Sequence, residues 1–325
     1  MRHDAERLIS LLLAAVMVYS LFVVPAAAVA GPAAAMQGKD GSSSTTVTDS
    51  SGRTTSTVRL PSAVAGMAAN GGSAVLLPVQ GLYASQNIDR APTVTIDTSG
   101  VNGVKVDIPL VDKNAGVVAV LVMEDGTQQL IKRTIPTLNG IALLIDDGDT
   151  IKLLDNSASF SDTRDHWAAD AADFVSARGL FYGVGANTFA PNAEMTRGML
   201  VTVLARYADV DTAGGDIWYE KGAAWAVANG LFDGTGLNDN ITREQLAAIM
   251  YRYAAFEGKL SNAGVDLQGY TDADLVSGYA AEAMSWAVGI GLMKGPTPTQ
   301  LDPQGNATRG QVAAVIMRYA QIIEP

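Results

Sequence analysis

Apolar positions follow three different rhythms along this 325-residue chain. From Leu8 to Val24 they run almost unbroken, behind a basic stretch of Arg2, His3 and Arg7 and ahead of Pro25. Ala28 and Ala30 then supply the small residues of an A-x-A cleavage site, so residues 1–30 are expected to be a removed signal peptide. The run nearly reaches the length of a membrane span, which keeps an uncleaved anchor as the competing reading. Residues 31–56 offer little to bury. Their Ser/Thr/Gly-rich stretch from Gly41 to Gly52 reads as a flexible linker.

Between residues 57 and 156 the rhythm shortens to β-rich runs. These are Ser73–Val79, Thr93–Asp97, Val104–Leu110, Val117–Met123, Gln128–Thr134, Ile141–Ile145 and Thr150–Leu154. Asp125-Gly126 and Asn139-Gly140 are hairpin signals between them. Such spacing predicts a small all-β, sandwich-like domain, with one short helix over Pro61–Asn70.

From residue 157 onward the period becomes helical and the sequence repeats itself. A first block, Trp167 to Gly179, lines up with Trp218 to Gly230 and with Tyr279 to Gly291. Each is followed four residues later by Gly183, Gly234 or Gly295. A second block begins Thr196-Arg197, Thr242-Arg243 and Thr308-Arg309. In it Leu200, Val203, Leu204 and Tyr207 fall at i, i+3, i+4 and i+7, as do Leu246, Ile249, Met250, Tyr253 and Val312, Val315, Ile316, Tyr319. Each repeat is therefore helix, glycine-rich loop, helix. A single hairpin cannot bury its stripe, so the three are expected to share one core. The repeats span 157–210, 211–258 and 259–325, after a β-domain at 57–156. Trp225 and Trp286 align with Phe174 on the buried stripe, and Arg206, Arg252 and Arg318 are expected on a solvated or structurally paired face.

Composition narrows the chemistry. The net charge of −11 disfavours nucleic acid and anionic lipid, so a bound anion needs a local cluster of Arg or Lys. There is no cysteine, and His3 and His166 are the only histidines, which removes thiol chemistry and disulfides. Asp146-Asp147-Gly148-Asp149 is explained by a turn better than by calcium. No nucleophile elbow, zinc motif or phosphate loop is present, so the chain is expected to need no cofactor or metal and not to be an enzyme.

One motif carries chemistry. Thr196, Thr242 and Thr308 stand at helix N-caps, and Gln245 and Gln311 complete capping boxes with the latter two. Arg197, Arg243 and Arg309 follow them. A cation there opposes the helix dipole by about 0.3–1 kcal/mol, yet it recurs three times. A helix N-terminus beside a guanidinium is a donor set for a carboxylate or phosphate; an internal ion pair with Asp or Glu is the competing reading.

These residues resemble the S-layer homology domain, whose repeat reads Phe-x-Asp, Trp-Ala, Gly-x-x-x-Gly, Phe-x-Pro and Ile-Thr-Arg. Phe160-Ser161-Asp162, Trp167-Ala168, Phe189-Ala190-Pro191 and Thr196-Arg197 carry the likeness in the first repeat. Tyr270-Thr271-Asp272, Tyr279-Ala280, Leu301-Asp302-Pro303 and Thr308-Arg309 carry it in the third. The second repeat has Trp218 and Ile241-Thr242-Arg243 but lacks the Phe-x-Asp segment and the Phe-x-Pro loop. The resemblance implies an all-α pseudo-threefold trimer of helical hairpins. It also implies anchoring to a secondary cell-wall polysaccharide, acidic and often pyruvylated, in grooves between repeats. Carried over, the polysaccharide-binding residues are Arg197, Arg243, Arg309, Trp167, Trp218, Tyr279, Asp162 and Asp272. The expected location is secreted, at the cell wall, with no membrane contact after signal cleavage. A glycan-active enzyme or a laterally assembling surface-layer protein, with the activity in the β-domain, stays as the alternative. Self-association is left open.

Overall fold

The computed structural model describes residues 33–185 and 187–323, so the expected signal peptide lies outside the described residues. Two compact units divide the chain. One takes in the chain up to Val111, Ala119–Ile131 and Leu144–Leu154; the other holds Asp112–Val118, Lys132–Leu143 and the chain from Asp155 onward.

In the first unit the residues expected to be a linker are strands: β1 (Ala34–Gln37), β2 (Ser43–Thr48) and β3 (Thr54–Arg59) form an antiparallel meander. Hydroxyl pairs replace apolar contacts there. Thr46 Oγ1 meets Ser56 Oγ at 2.8 Å, and Thr48 Oγ1 meets Thr54 Oγ1 at 3.2 Å. Threonine suits a pleated surface, and cross-strand Thr–Ser pairs add to it, so the stretch folds without a hydrophobic pattern. The chain continues through helix α1 (Ser62–Ala69), β4 (Val75–Leu76), β5 (Thr93–Asp97), β6 (Val104–Pro109), β7 (Val117–Val122), β8 (Gln128–Ile131), β9 (Ile135–Pro136), β10 (Gly140–Ile145) and β11 (Thr150–Asp155).

A seven-stranded sheet has the order β1-β2-β3-β5-β11-β7-β8. It is mixed: β3 runs parallel to β5, while β5 and β11 are antiparallel. β4 and β6 also pair in parallel. The antiparallel all-β sandwich read from the sequence is therefore corrected to mixed sheets with a helix. Parallel neighbours need a crossover, which the segment from β3 through α1 to β5 provides. Alternation places Val58, Val94, Ile96, Ile151 and Leu153 in the core.

The second unit contains helices α2 (Ala169–Ala177), α3 (Arg197–Tyr207), α4 (Glu220–Ala228), α5 (Arg243–Phe256), α6 (Ala281–Gly289) and α7 (Arg309–Ile323). The expected stripes are buried: Leu200, Leu204, Tyr207, Leu246, Met250, Tyr253, Val312, Ile316 and Tyr319 are all close to fully inaccessible. The three tyrosines meet, with ring centroids 6.5 Å apart for Tyr207–Tyr253 and Tyr207–Tyr319 and 5.4 Å for Tyr253–Tyr319. Phe174 and Trp286 are buried as expected, and Trp225 is half-buried.

Two features overturn the all-α trimer of helical hairpins. First, helices pair across repeats: α3 packs on α4, α5 on α6, and α7 on α2. At the first of these contacts Gly222 leaves no room for a side chain, since a Cβ there would lie 2.8 Å from Thr202 Cα. Second, the unit carries β structure. β9 and β10 form an antiparallel pair, and single bridges join Glu194 to Thr308, Thr196 to Asn240 and Thr242 to Asn306. Backbone hydrogen bonds close these bridges into a ring: Met195 N–H donates to Ala307 O, Ala307 N–H to Ile241 O, and Ile241 N–H to Met195 O, at 2.8–3.0 Å.

Arg178 explains why non-helical chain belongs in this unit. It is fully buried, and its guanidinium donates to the carbonyls of Thr134, Ala115, Phe174 and Val117 while lying 3.7 Å from the Phe174 ring centroid. Burial pushes its pKa down, but the ring of carbonyl acceptors favours the charged form. A buried guanidinium needs such acceptors, and helices have few to spare. Segments 112–118 and 132–143 supply them. Among the described residues no helix is long and apolar enough to cross a membrane.

Candidate functional site

Each second helix begins as its sequence predicts. Thr196 Oγ1 accepts from Met199 N–H at 3.3 Å, and the capping boxes of Thr242 with Gln245 and of Thr308 with Gln311 are complete. The next two backbone N–H groups in each helix are already used. Those of Arg197 and Gly198 reach Asp239 O and Leu237 O. Those of Arg243 and Glu244 reach Gly305 O and Pro303 O, and those of Arg309 and Gly310 reach Ala193 O and Pro191 O. The helix ends therefore bind neighbouring repeats, and these N–H groups are not open to the anion expected of them.

The three arginines differ in setting. Arg243 and Arg309 are buried, 5% and 8% exposed. Arg243 donates to Leu301 O (2.9 Å) and Lys294 O (2.8 Å), and Arg309 donates to Phe189 O (2.8 Å) and Tyr182 O (2.9 Å). Burial lowers the pKa of both, with carboxylates nearby acting the other way. Arg197 is half-buried. It donates to Gln245 Oε1 and Thr235 O, both at 3.3 Å, and lies 3.9 Å from Asp239. The missing Phe-x-Pro loop of the second repeat explains the difference, because Arg197 has no carbonyl equivalent to Leu301 or Phe189.

Asp162 and Asp272 hold these loops. Asp162 accepts from Phe189 N–H (2.9 Å) and Ala190 N–H (2.7 Å); Asp272 accepts from Leu301 N–H (2.9 Å) and Asp302 N–H (2.7 Å). Ala190 and Asp302 have φ of 57° and 53°, a left-handed turn that each carboxylate fastens. The turn aims the Phe189 or Leu301 carbonyl at its arginine. Both aspartates are thus positioning residues one step behind the guanidinium. The Phe189 N–H, above all, holds the Asp162 carboxyl below its usual range. A depressed folded pKa gives stability that is present above the unfolded carboxylate value near pH ~4 and lost as pH falls through the folded value. Asp162→Asn is therefore expected to lower Tm at pH 7 and to match the parent at the acid end of the range, read by thermal melts across pH.

The aromatics stand clear of the core: Trp167, Trp218 and Tyr279 are 62%, 48% and 57% exposed. Each begins the helix that packs on a neighbour's second helix. Where α2 meets α7, Trp167, Arg243, Lys294, Gln311 and Arg318 line a cavity of about 290 Å³, with Leu246, Met293 and Val315 as its apolar wall. Arg318 also donates to Leu292 O (3.3 Å), as Arg206 does to Leu180 O (3.0 Å) and Arg252 to Leu231 O (3.4 Å). These arginines clamp the turn after each first helix, where Gly179, Gly230 and Gly291 have φ between 64° and 75°. The expected structural pairing of that row is thus observed, and one member, Arg318, also faces the cavity. Sequence reasoning missed Lys294 and Gln311 as lining. Lys294 aligns with Tyr182 and Asp233, so no repeated charge marked it. Three cations, an indole and an amide can grip a carboxylate attached to an apolar sugar face. Among the described residues no cluster of His, Cys, Asp and Glu is placed to hold a metal.

Comparison with known proteins supplies the relationship. The profile of the S-layer homology domain matches residues 159–198 and 269–313, the first and third repeats. An amylopullulanase of Thermoanaerobacterium thermosulfurigenes is 27% identical over 172 residues, 49% of this chain and 9% of that protein. An exoglucanase XynX of Acetivibrio thermocellus is 24% identical over 192 residues, 55% of this chain and 18% of that protein. A surface-layer 125 kDa protein of Lysinibacillus sphaericus is 25% identical over 174 residues, 49% of this chain and 14% of that protein. The chain spans less than a fifth of the length of these relatives. Such domains bind cell-wall polymers and anchor secreted proteins at the cell surface. The chain therefore carries S-layer homology domains, matched at residues 159–198 and 269–313.

Proposed function

We propose that the chain anchors itself by binding an acidic, pyruvylated secondary cell-wall polysaccharide in the cavity between α2 and α7, and that it acts by binding and not by catalysis. The observation that carries this reading is the meeting of Arg243, Lys294 and Arg318 with the exposed Trp167 indole around one cavity. A pyruvyl ketal presents a carboxylate and a methyl group on one face. The guanidinium and ammonium groups take the first, and the indole covers the second. Burial of Arg243 among backbone carbonyls fixes its fork before ligand arrives, which limits the entropy lost on binding.

The test is retention of the full chain on purified cell wall, with and without its pyruvyl groups. Binding to the pyruvylated wall alone is expected. Trp167→Ala is expected to weaken it by about tenfold, the worth of one well-placed aromatic contact, while leaving Tm unchanged because the indole is solvent-exposed. Equal retention on both walls would remove the polysaccharide assignment.

A further inference from the structure

Around the helix pair α5/α6 the residues that correspond to the lining of the α7/α2 cavity differ from it in one direction. Tyr279 stands for Trp167, Arg197 for Arg243, Gln245 for Gln311 and Arg252 for Arg318. Lys294 is replaced by Asp233, Gly305 by Asp239 and Gly310 by Glu244. Each of these last three changes adds negative charge. Two of them lie by Arg197: Asp239 is 3.9 Å from its guanidinium, and the Arg197 charge holds the Asp233 carboxyl down, after the Thr235 hydrogen bonds. The third, Glu244, bonds the Tyr279 hydroxyl, which feels the charges of both Glu244 and Arg197.

Glu244 is the most constrained of the three. It is 3% exposed, and its carboxylate accepts from Ser277 N–H (2.9 Å), Ser277 Oγ–H (2.8 Å) and Tyr279 Oη–H (2.9 Å). At the equivalent position in the other two helices only glycine fits as packed. A Cβ on Gly198 would lie 2.9 Å from Leu237 O, and one on Gly310 3.0 Å from Pro191 O. Trp218 and Trp167, which align with Tyr279, have no hydroxyl for a carboxylate at that position to accept from. Tyrosine and glutamate thus occur together where tryptophan and glycine occur together elsewhere.

We propose that Glu244 is a specificity-determining residue: with Asp233 and Asp239 it supplies the Arg197 groove with its own carboxylates and closes it to acidic sugars. The groove is self-neutralised, so an incoming carboxylate meets repulsion from fixed charges at close range. The acidic polymer is gripped elsewhere in the unit. This inference rests on the proposed polysaccharide function and assigns which groove does not take part.

The probe is a hexoside carrying a cyclic pyruvyl ketal, titrated calorimetrically into the full chain, with the ketal-free hexoside as control. Glu244→Gln keeps the shape and the acceptor for Tyr279 but removes the charge; Glu244→Gly restores the residue of the other repeats. Either variant is expected to bind one more equivalent of ketal per chain than the parent, and adding Arg197→Gln is expected to abolish the gain. Binding in the variants but not in the parent supports the lock as well. An unchanged stoichiometry in both folded variants, with parent binding intact, overturns the lock and leaves the polysaccharide function standing. No binding in parent or variants overturns both.

Discussion

Arg178→Ala is expected to destabilise the C-terminal unit by about 4 kcal/mol, a large share of the stability of an ordinary domain. The reason is what stays behind. The side chain is wholly inaccessible and serves the carbonyls of Thr134, Ala115, Phe174 and Val117. Its removal leaves buried acceptors without donors and a void against the Phe174 ring, each a separate cost. Arg178→Met fills most of the void and is expected to recover only the smaller part of the loss. Arg178→Lys also falls short, because three donors on one point cannot replace a planar fork of five. Urea midpoints for the three variants check the ranking; a methionine variant as stable as the parent would show that the carbonyls find water. The same physics predicts that a fragment beginning at residue 157 folds poorly, since it lacks Ala115, Val117 and Thr134.

The second large effect concerns the tyrosine cluster. Glu257 accepts from Arg133, from Tyr253 Oη–H (2.8 Å) and from Tyr319 Oη–H (3.2 Å), and Arg133 lies 5.1 Å from the Tyr207 ring centroid. Burial pushes the Glu257 carboxyl up, but the Arg133 and Tyr253 hydrogen bonds outweigh it and hold the carboxyl below its usual range. Arg133→Ala strips the main counter-charge from a carboxylate only 7% exposed, and a loss of about 3 kcal/mol is expected at pH 7. The pH dependence carries the mechanism. In the parent, the depressed folded pKa means stability that is full above the ordinary glutamate range and declines as pH falls through the folded value. In the variant the Arg133 hydrogen bond and charge are gone, so burial is opposed only by the tyrosine hydrogen bonds and Lys259, the folded pKa moves up, and protonation costs less stability than in the parent. The gap between the two should therefore narrow steadily from pH 7 towards pH 4. A gap that stays constant across that range would place the effect in lost packing instead of charge.

The helical half was legible because its signals are local. Stripes such as Leu246–Tyr253, the Thr caps and the glycines after each first helix are fixed by residues within one turn of each other. Strands such as β5 and β11 were legible for the same reason. What escaped depends on distance. Nothing near Arg178 announces carbonyls more than 40 residues away, and nothing in a repeat says that its first helix packs on the preceding repeat's second helix. The meander over β1–β3 escaped because hydroxyls, not apolar side chains, pair its strands. At the site, the Arg and aromatic positions were readable from the repeat, and the missing Phe-x-Pro loop of the second repeat already marked the grooves as unequal, while the difference in their charge was not readable. It rests on Lys294, Asp233 and Glu244, single departures whose neighbours only the fold brings together.

The contact of α7 with α2 joins the last helix of the repeats to the first. The packing of the opening helix is therefore complete only when the closing one, Arg309–Ile323, is in place. Under the proposed function the grip forms only once α7 closes on α2, and a single proteolytic nick between these two helices would loosen the whole anchor at once.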